Sequence, residues 1–235
     1  MKKFYPFIGV LVLLVLQGCE STSRSYTKRD AYPLMYEEAV KSILVVPAVN
    51  QTTAADAPVL YATTVLPPLA EAGYYVMPIP VVEQLFQQQG ITDGSQLREV
   101  DTAQFKNLFG ADAVLFVTIV RWDTSYYVTG GNVSVGLDFT LVSTTTSQTI
   151  WSQAQTLNVE TSGNSNDLLV SIIATALNTA FTKYIDLAHD INGAAIRQLP
   201  VGPYHPNHRQ DGLAHAWSRT GSERWGSTQR KTNDK

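Results

Sequence analysis

Short β-branched runs alternate with stretches of helical period between residues 41 and 189. Residues 42–49 form an apolar run bounded by Asn50, Gln51, Thr52 and Thr53, the pattern of a buried strand. Val59, Leu60, Thr63, Leu66 and Leu69 recur at helical spacing and predict a helix over 59–72, which Pro67-Pro68 should kink or end and Gly73 should stop. Residues 74–79 read as the next strand. Residues 81–89 read as the next helix, with Val82, Leu85 and Phe86 on one side and Gly90 as its close. A short helix is expected over 101–109, capped by Asp101, facing Phe105 and Leu108 inward, and stopped by Gly110.

The run 113–120 is bounded by Asp112 and Arg121 and predicts a central strand covered on both faces. From 132 to 143 the chain alternates: Val133, Val135, Leu137, Phe139 and Leu141 share one face, and Ser134, Gly136, Asp138 and Thr140 the other. Residues 144–147 turn and 148–160 return, with the doublet Ile150-Trp151 pointing to a bulge or a change of face. Asp167 then starts the longest helix, 168–189, with Leu169, Ile172, Ile173, Ala176, Ala180, Tyr184 and Leu187 as its core stripe. The element order predicts an α/β fold. It is a three-layer-like sandwich whose mixed sheet has early parallel β-α-β units, a late antiparallel hairpin and a long closing helix.

The ends read differently. Lys2 and Lys3 precede an apolar run over 8–16, too short to span a bilayer and of the length of an export signal. It leads into Leu16-Gln17-Gly18-Cys19, which resembles the bacterial lipobox. The resemblance implies cleavage after Gly18, with Leu16, Gln17 and Gly18 recognised by the signal peptidase, and a covalent lipid on Cys19 that anchors the chain to a membrane. Glu20, rather than Asp, after that cysteine directs the expectation to the outer membrane. On this reading residues 1–18 are a signal, 19–40 a lipidated flexible tether, 41–200 the α/β domain and 201–235 a disordered polar tail.

Cys19 is the only cysteine, which excludes an internal disulfide framework and any cysteine-cluster metal site. Once residues 1–18 are removed, 15 basic residues stand against 20 acidic ones, so no nucleic-acid partner is expected. The imbalance is uneven: 41–200 holds 6 basic and 13 acidic groups, −7, and 201–235 holds 6 and 3, +3.

Several features together resemble a family of Gram-negative outer-membrane lipoproteins of unknown function. They are the lipobox, the polar tether, Ile43-Leu44-Val45-Val46-Pro47 before Asn50-Gln51-Thr52, the strand entry Gly73-Tyr74-Tyr75-Val76, and Gly110-Ala111-Asp112-Ala113-Val114-Leu115 before the late hairpin. That family is similar in fold to the curli secretion lipoprotein CsgG, the peptidoglycan synthase activator LpoB and the amino-terminal domain of TolB. The similarity to CsgG also leaves room for the 132–160 hairpin to enter a membrane as part of a multimeric barrel.

The chain carries none of the GxSxG, HExxH, GxxxxGK[ST] or GxGxxG signatures. His189 near the end of the long helix suits a cap, and His205, His208 and His215 lie in the expected tail. Asp112 and Asp123 flank the central strand roughly 35 Å apart at strand rise, too far to share acid–base work. No catalytic residue, metal site or cofactor is therefore expected beyond the lipid. Tyr74, Tyr75, Trp122, Tyr126 and Tyr127, at strand ends and before the hairpin, have interface composition, although some of these rings could equally roof the core. The reading is a non-enzymatic interaction and assembly module of the cell envelope, facing the periplasm, with the cell exterior as the alternative, and contacting other envelope proteins or further copies of itself; the resemblance to CsgG suggests a secretion or surface structure as its setting. Its rivals are an LpoB-like regulator of a peptidoglycan synthase and a small-molecule-binding or enzymatic periplasmic domain.

The anchor has a direct test. Cys19→Ser should abolish palmitate incorporation and move the folded chain into the soluble periplasmic fraction; labelled protein still sedimenting with membranes would refute lipidation there.

Overall fold

The computed structural model describes residues 26–127, 130–162 and 172–216; the lipobox and Cys19 lie outside them. The central strand β5 (Ala113–Tyr127) organises the sheet. Short parallel strands lie on one side of it: β2 (Ser42–Val45) and β3 (Val49–Asn50) pair with β5, and β4 (Tyr75–Val76) pairs with β2. On its other side β6 (Gly130–Ser143) and β7 (Thr149–Ser162) continue antiparallel. The order is β4-β2-β5-β6-β7, the expected mixed sheet.

Continuous apolarity in β2 has the cause the sequence suggests. Ile43 and Val45 point into one core, and Leu44 and Val46 into a second on the opposite face. Helices α1 (Lys28–Ala31), α2 (Pro33–Glu37), α3 (Ala57–Glu71) and α6 (Ile172–Ile196) cover the first face, to which Tyr32, Met35, Tyr61, Leu69, Ile191 and Ile196 contribute. Helices α4 (Ile79–Gln88) and α5 (Thr102–Phe109) cover the second through Val82, Phe86 and Phe105. Asp101 caps α5 through the Ala103 N–H at 3.0 Å, and Gly110, at φ 69°, ends it. Ile150 has no partner in the β6–β7 register, so the expected bulge brings Ile150 and Trp151 into the same core.

Several local expectations are corrected. Helix α3 runs through Pro67-Pro68, and its buried stripe is Ala57, Tyr61, Thr64, Val65, Pro68 and Leu69, with Val59 exposed. Leu85 on α4 and Leu108 on α5 are exposed rather than core. Helix α6 continues seven residues past His189, which stands on its exposed side rather than near its end. Asp112 is a joint: its carboxylate accepts from the Lys41 and Ser42 N–H groups at 3.0 and 3.2 Å and from the Ser42 hydroxyl at 3.1 Å.

The larger correction concerns the ends of the domain. Residues 26–40, expected as flexible tether, and residues 201–216, expected as disordered tail, form structure together. β1 (Tyr26–Thr27) pairs antiparallel with β8 (His215–Ala216). Behind this pair the Lys28 ammonium is buried, donating to the Leu199 carbonyl at 2.9 Å and standing 3.4 Å from Asp211. Burial lowers the pKa of Lys28 more than Asp211 restores it. Asp211 also accepts from the Tyr36 hydroxyl at 3.2 Å and the Val201 N–H at 3.0 Å, and burial with this carboxylate pushes the Tyr36 phenol up. Beyond it Gly202 packs backbone to backbone on Gly73: a Cβ there would meet the Gly73 carbonyl oxygen at 2.3 Å. Residues 217–235 lie outside the described residues.

Because Asp211 serves three partners, Asp211→Ala should destabilise the fold by about 3 kcal/mol, since it leaves a buried ammonium without its counter-charge. Urea unfolding measures this; a loss within about 0.5 kcal/mol would mean that the two terminal segments are not part of the cooperative unit.

Candidate interaction surface

Five aromatic residues are interface candidates by sequence, and the structure does not bring them to one patch. Tyr74 is buried, its hydroxyl donating to the Pro200 carbonyl at 2.5 Å, and burial pushes its phenol well up. Trp122 is also core: its ring stacks on Tyr184 at 5.1 Å between centroids, and the Tyr184 hydroxyl meets Thr124. Tyr75, one residue on from Tyr74 along the pleat, is 55% exposed on the outermost short strand. Tyr126 and Tyr127 are the last residues of β5, their backbones paired with Gly131 and Gly130 rather than lying in a loop. Their side chains lie outside what the structure describes. Tyr75 pairs with Ser42 near the start of the sheet, and Tyr126 is thirteen residues along β5 from Ala113, a separation of about 40 Å at strand rise.

The features that converge are on the hairpin. β7 is fourteen residues long and pairs through one side only, with β6; no other described strand occupies its outer side. That side presents a row of backbone donors and acceptors. Proteins usually blunt such an edge with charge or proline, yet residues 149–159 contain neither, the first charge being Glu160. Ala154, Thr156 and Asn158 are exposed along it, whereas Trp151 and Gln153 turn into the core, the Gln153 amide donating to the Tyr32 hydroxyl.

Beside this edge lies a polar shelf, the face of β5 and β6 turned away from α6. A bulge at Val120 moves the register from Ile119 opposite Leu137 to Arg121 opposite Gly136. Arg121, Asp123 and Ser125 are exposed there. Gly136 has no room for a Cβ, which would stand 2.9 Å from Thr156 Oγ1 and 3.1 Å from Arg121 Cβ, so the shelf is flat at that point. Arg98, which composition did not single out, donates to Thr118 Oγ1 at 2.6 Å and lies 5.9 Å over the Phe116 ring. Burial raises the Asp138 carboxyl, and the Arg98 charge opposes it. A flat polar shelf beside an uncharged edge suits recognition of another strand through its backbone.

A concavity between Tyr36, Lys41, Tyr74, Val201 and His208 has a volume of about 110 Å³, well short of the roughly 300 Å³ at which small-molecule sites begin. His208 is part of the folded carboxyl end, its ring 3.1 Å from the Val201 carbonyl. Among the described residues no helix is long and apolar enough to cross a membrane.

A family model described as "Putative lipoprotein GNA1162-like" matches residues 31–208. The protein called "Putative lipoprotein NMB1124/NMB1162", from Neisseria meningitidis serogroup B, is 27% identical over 200 residues, covering 85% of this chain and 91% of that one. Of solved structures, lipoprotein GNA1162 from Neisseria meningitidis is 31% identical with a TM-score of 0.49, over 61% of this chain and 99% of that one. The LpoB C-terminal domain from Salmonella enterica is 20% identical with a TM-score of 0.36, over 54% and 93%.

The core and surface assignments of the five aromatics separate in stability. Trp122→Ala should cost about 3 kcal/mol or more, whereas Tyr75→Ser should stay within about 0.5 kcal/mol, both read by urea unfolding. Equal costs would reverse the assignment of one of them.

Proposed function

The chain belongs to the GNA1162-like lipoprotein family, and we propose that it is an outer-membrane-anchored, non-enzymatic assembly module of the cell envelope that works by adding the free edge of β7 to a strand of a partner, in the first instance a second copy of itself. The observation that carries this reading is the run 149–159 on the free side of β7: eleven residues with neither charge nor proline, on an edge long enough to pair over several residues. Self-pairing satisfies the exposed backbone groups of two copies at once, and a twofold-related, antiparallel β7–β7 contact closes on itself rather than growing into a filament. Exposed Ala154, Thr156 and Asn158 are small enough not to hold an approaching strand away. The anchor is lipidated Cys19, and Glu20 favours the outer membrane as its place.

The rival in which the domain reaches through peptidoglycan to regulate a synthase needs a long tether. The described fold begins at Tyr26, seven residues after Cys19, so the link spans at most about 25 Å instead of the 75 Å or so that a tether to Lys41 would allow. The short link supports work close to the membrane.

Sedimentation of the mature chain with Cys19→Ser at micromolar concentration tests the proposal. A dimer or larger species is expected, and Thr156→Lys with Asn158→Lys should weaken association by roughly ten-fold or more by placing charge along the edge. A strict monomer, or association indifferent to the two lysines, would overturn the β7 contact.

A further inference from the structure

The concavity beside Tyr74 is formed where residues 200–211 dock against residues 35–41. Its apolar lining includes Met35, Val40, Tyr74 and Pro200, and the Tyr74 hydroxyl fixes one side of it by donating to the Pro200 carbonyl. At about 110 Å³ it is too small for a drug-sized ligand, yet an apolar cavity of about 150 Å³ holds a benzene ring. The space therefore fits one small apolar group, the size of a valine or leucine side chain.

The charged part of the lining is basic. Lys41 and Arg209 are exposed there, and among the described residues neither side chain has a hydrogen-bond partner or a carboxylate within ion-pair distance. Glu38, the one carboxylate in the lining, accepts from the Thr146 hydroxyl at 2.8 Å. The Tyr36 hydroxyl is engaged with Asp211, which also faces Lys28. Two free cations thus border an apolar hollow, in a domain that carries −7 over 41–200. Arg209 is moreover held at φ 61°, in the left-handed region that favours glycine; among the described residues only Ser147 shares this without being glycine. Glycine would hold this turn at less conformational cost, and the arginine side chain returns no hydrogen bond or ion pair to the fold. Strained backbone carrying an unpaired charge beside a hollow is typical of a ligand clamp.

We propose that this hollow binds the carboxyl-terminal residue of a peptide, with its small apolar side chain in the space beside Tyr74 and its carboxylate on Lys41 and Arg209. Unpaired cations select an anion, and the size and apolar lining of the hollow select what the anion is attached to. A chain terminus carries both features within one residue. The site goes beyond the pairing of β7 and depends on neither that edge nor the anchor.

The test is an NMR titration of the mature chain carrying Cys19→Ser with N-acetyl-glycyl-valine at low salt, followed through the backbone amide shifts. Saturable shifts are expected at residues 35–41 and 200–211. Replacing the probe's carboxylate by a carboxamide should weaken binding by roughly ten-fold or more. A terminal glycine, which leaves the hollow unfilled, and a terminal tryptophan, too large to enter it, should each bind more weakly than valine. Lys41→Gln and Arg209→Gly should each weaken binding by roughly ten-fold. Arg209→Gly should at the same time leave the urea midpoint unchanged or raise it, because glycine accepts φ 61° freely, so that loss of binding is not loss of fold.

Folded chain showing no saturable shift at these residues with millimolar peptide would overturn the proposal. So would equal affinity for the carboxamide, or binding indifferent to both substitutions. Thr156→Lys with Asn158→Lys should leave peptide binding unchanged, so failure of the β7 contact is read apart from failure of this site.

Discussion

The Lys28 side chain is only 8% exposed, and a charge held so far from water must be met by other groups of the chain. Those groups, the Asp211 carboxylate and the Leu199 carbonyl, come from more than 170 residues away. Satisfying one cation therefore closes the chain on itself, and the consequences spread along both segments. Asp211, held by Lys28, is in place for the Tyr36 hydroxyl and the Val201 N–H. The turn that follows lays Gly202 on Gly73, where the Gly202 N–H donates to the Ala72 carbonyl at 2.8 Å. That contact in turn brings the Pro200 carbonyl over Tyr74, at the entry to β4. The amino end of the parallel sheet is thus roofed by the described segments around Lys28 and around Leu199 to Asp211.

The central sheet was legible because its signals are local. The apolar runs of β2 and β5, the alternation of β6, the doublet at Ile150 and Trp151, and the caps Asp101 and Gly110 each declare themselves within a dozen residues. The terminal segments do not. β1 and β8 have two residues each and α1 has four, so neither period has length to register, and a lysine among serines and threonines looks solvated until its partner arrives from the other end. Helical stripes are partly misphased in sequence because apolar residues also occupy exposed positions: Val59 and Leu108 fit the period yet face water.

The interface candidates divide for two separate physical reasons. Tyr74 and Tyr75 differ only in the parity of a strand, which sequence leaves open when both neighbours are aromatic. Trp122 is hidden by a bulge. The alternation that sends Leu115, Val117 and Ile119 into one core does not survive it, and the extra residue at Val120 moves the even-numbered Trp122 onto the face those three hold. The hairpin edge was not read from sequence: residues 149–159 lack charge and proline, but that matters only once the topology places this strand outermost.

The β1–β8 pair also defines a load path. In a chain held by a lipid at Cys19, tension between membrane and domain enters the fold at Tyr26 and meets first a two-residue ladder, then the buried Lys28. The ladder can part without disturbing the sheet, whereas withdrawing Lys28 would break the closure at Asp211. In such a chain the clasp would have two stages, an outer ladder of two residues and an inner contact around the buried Lys28.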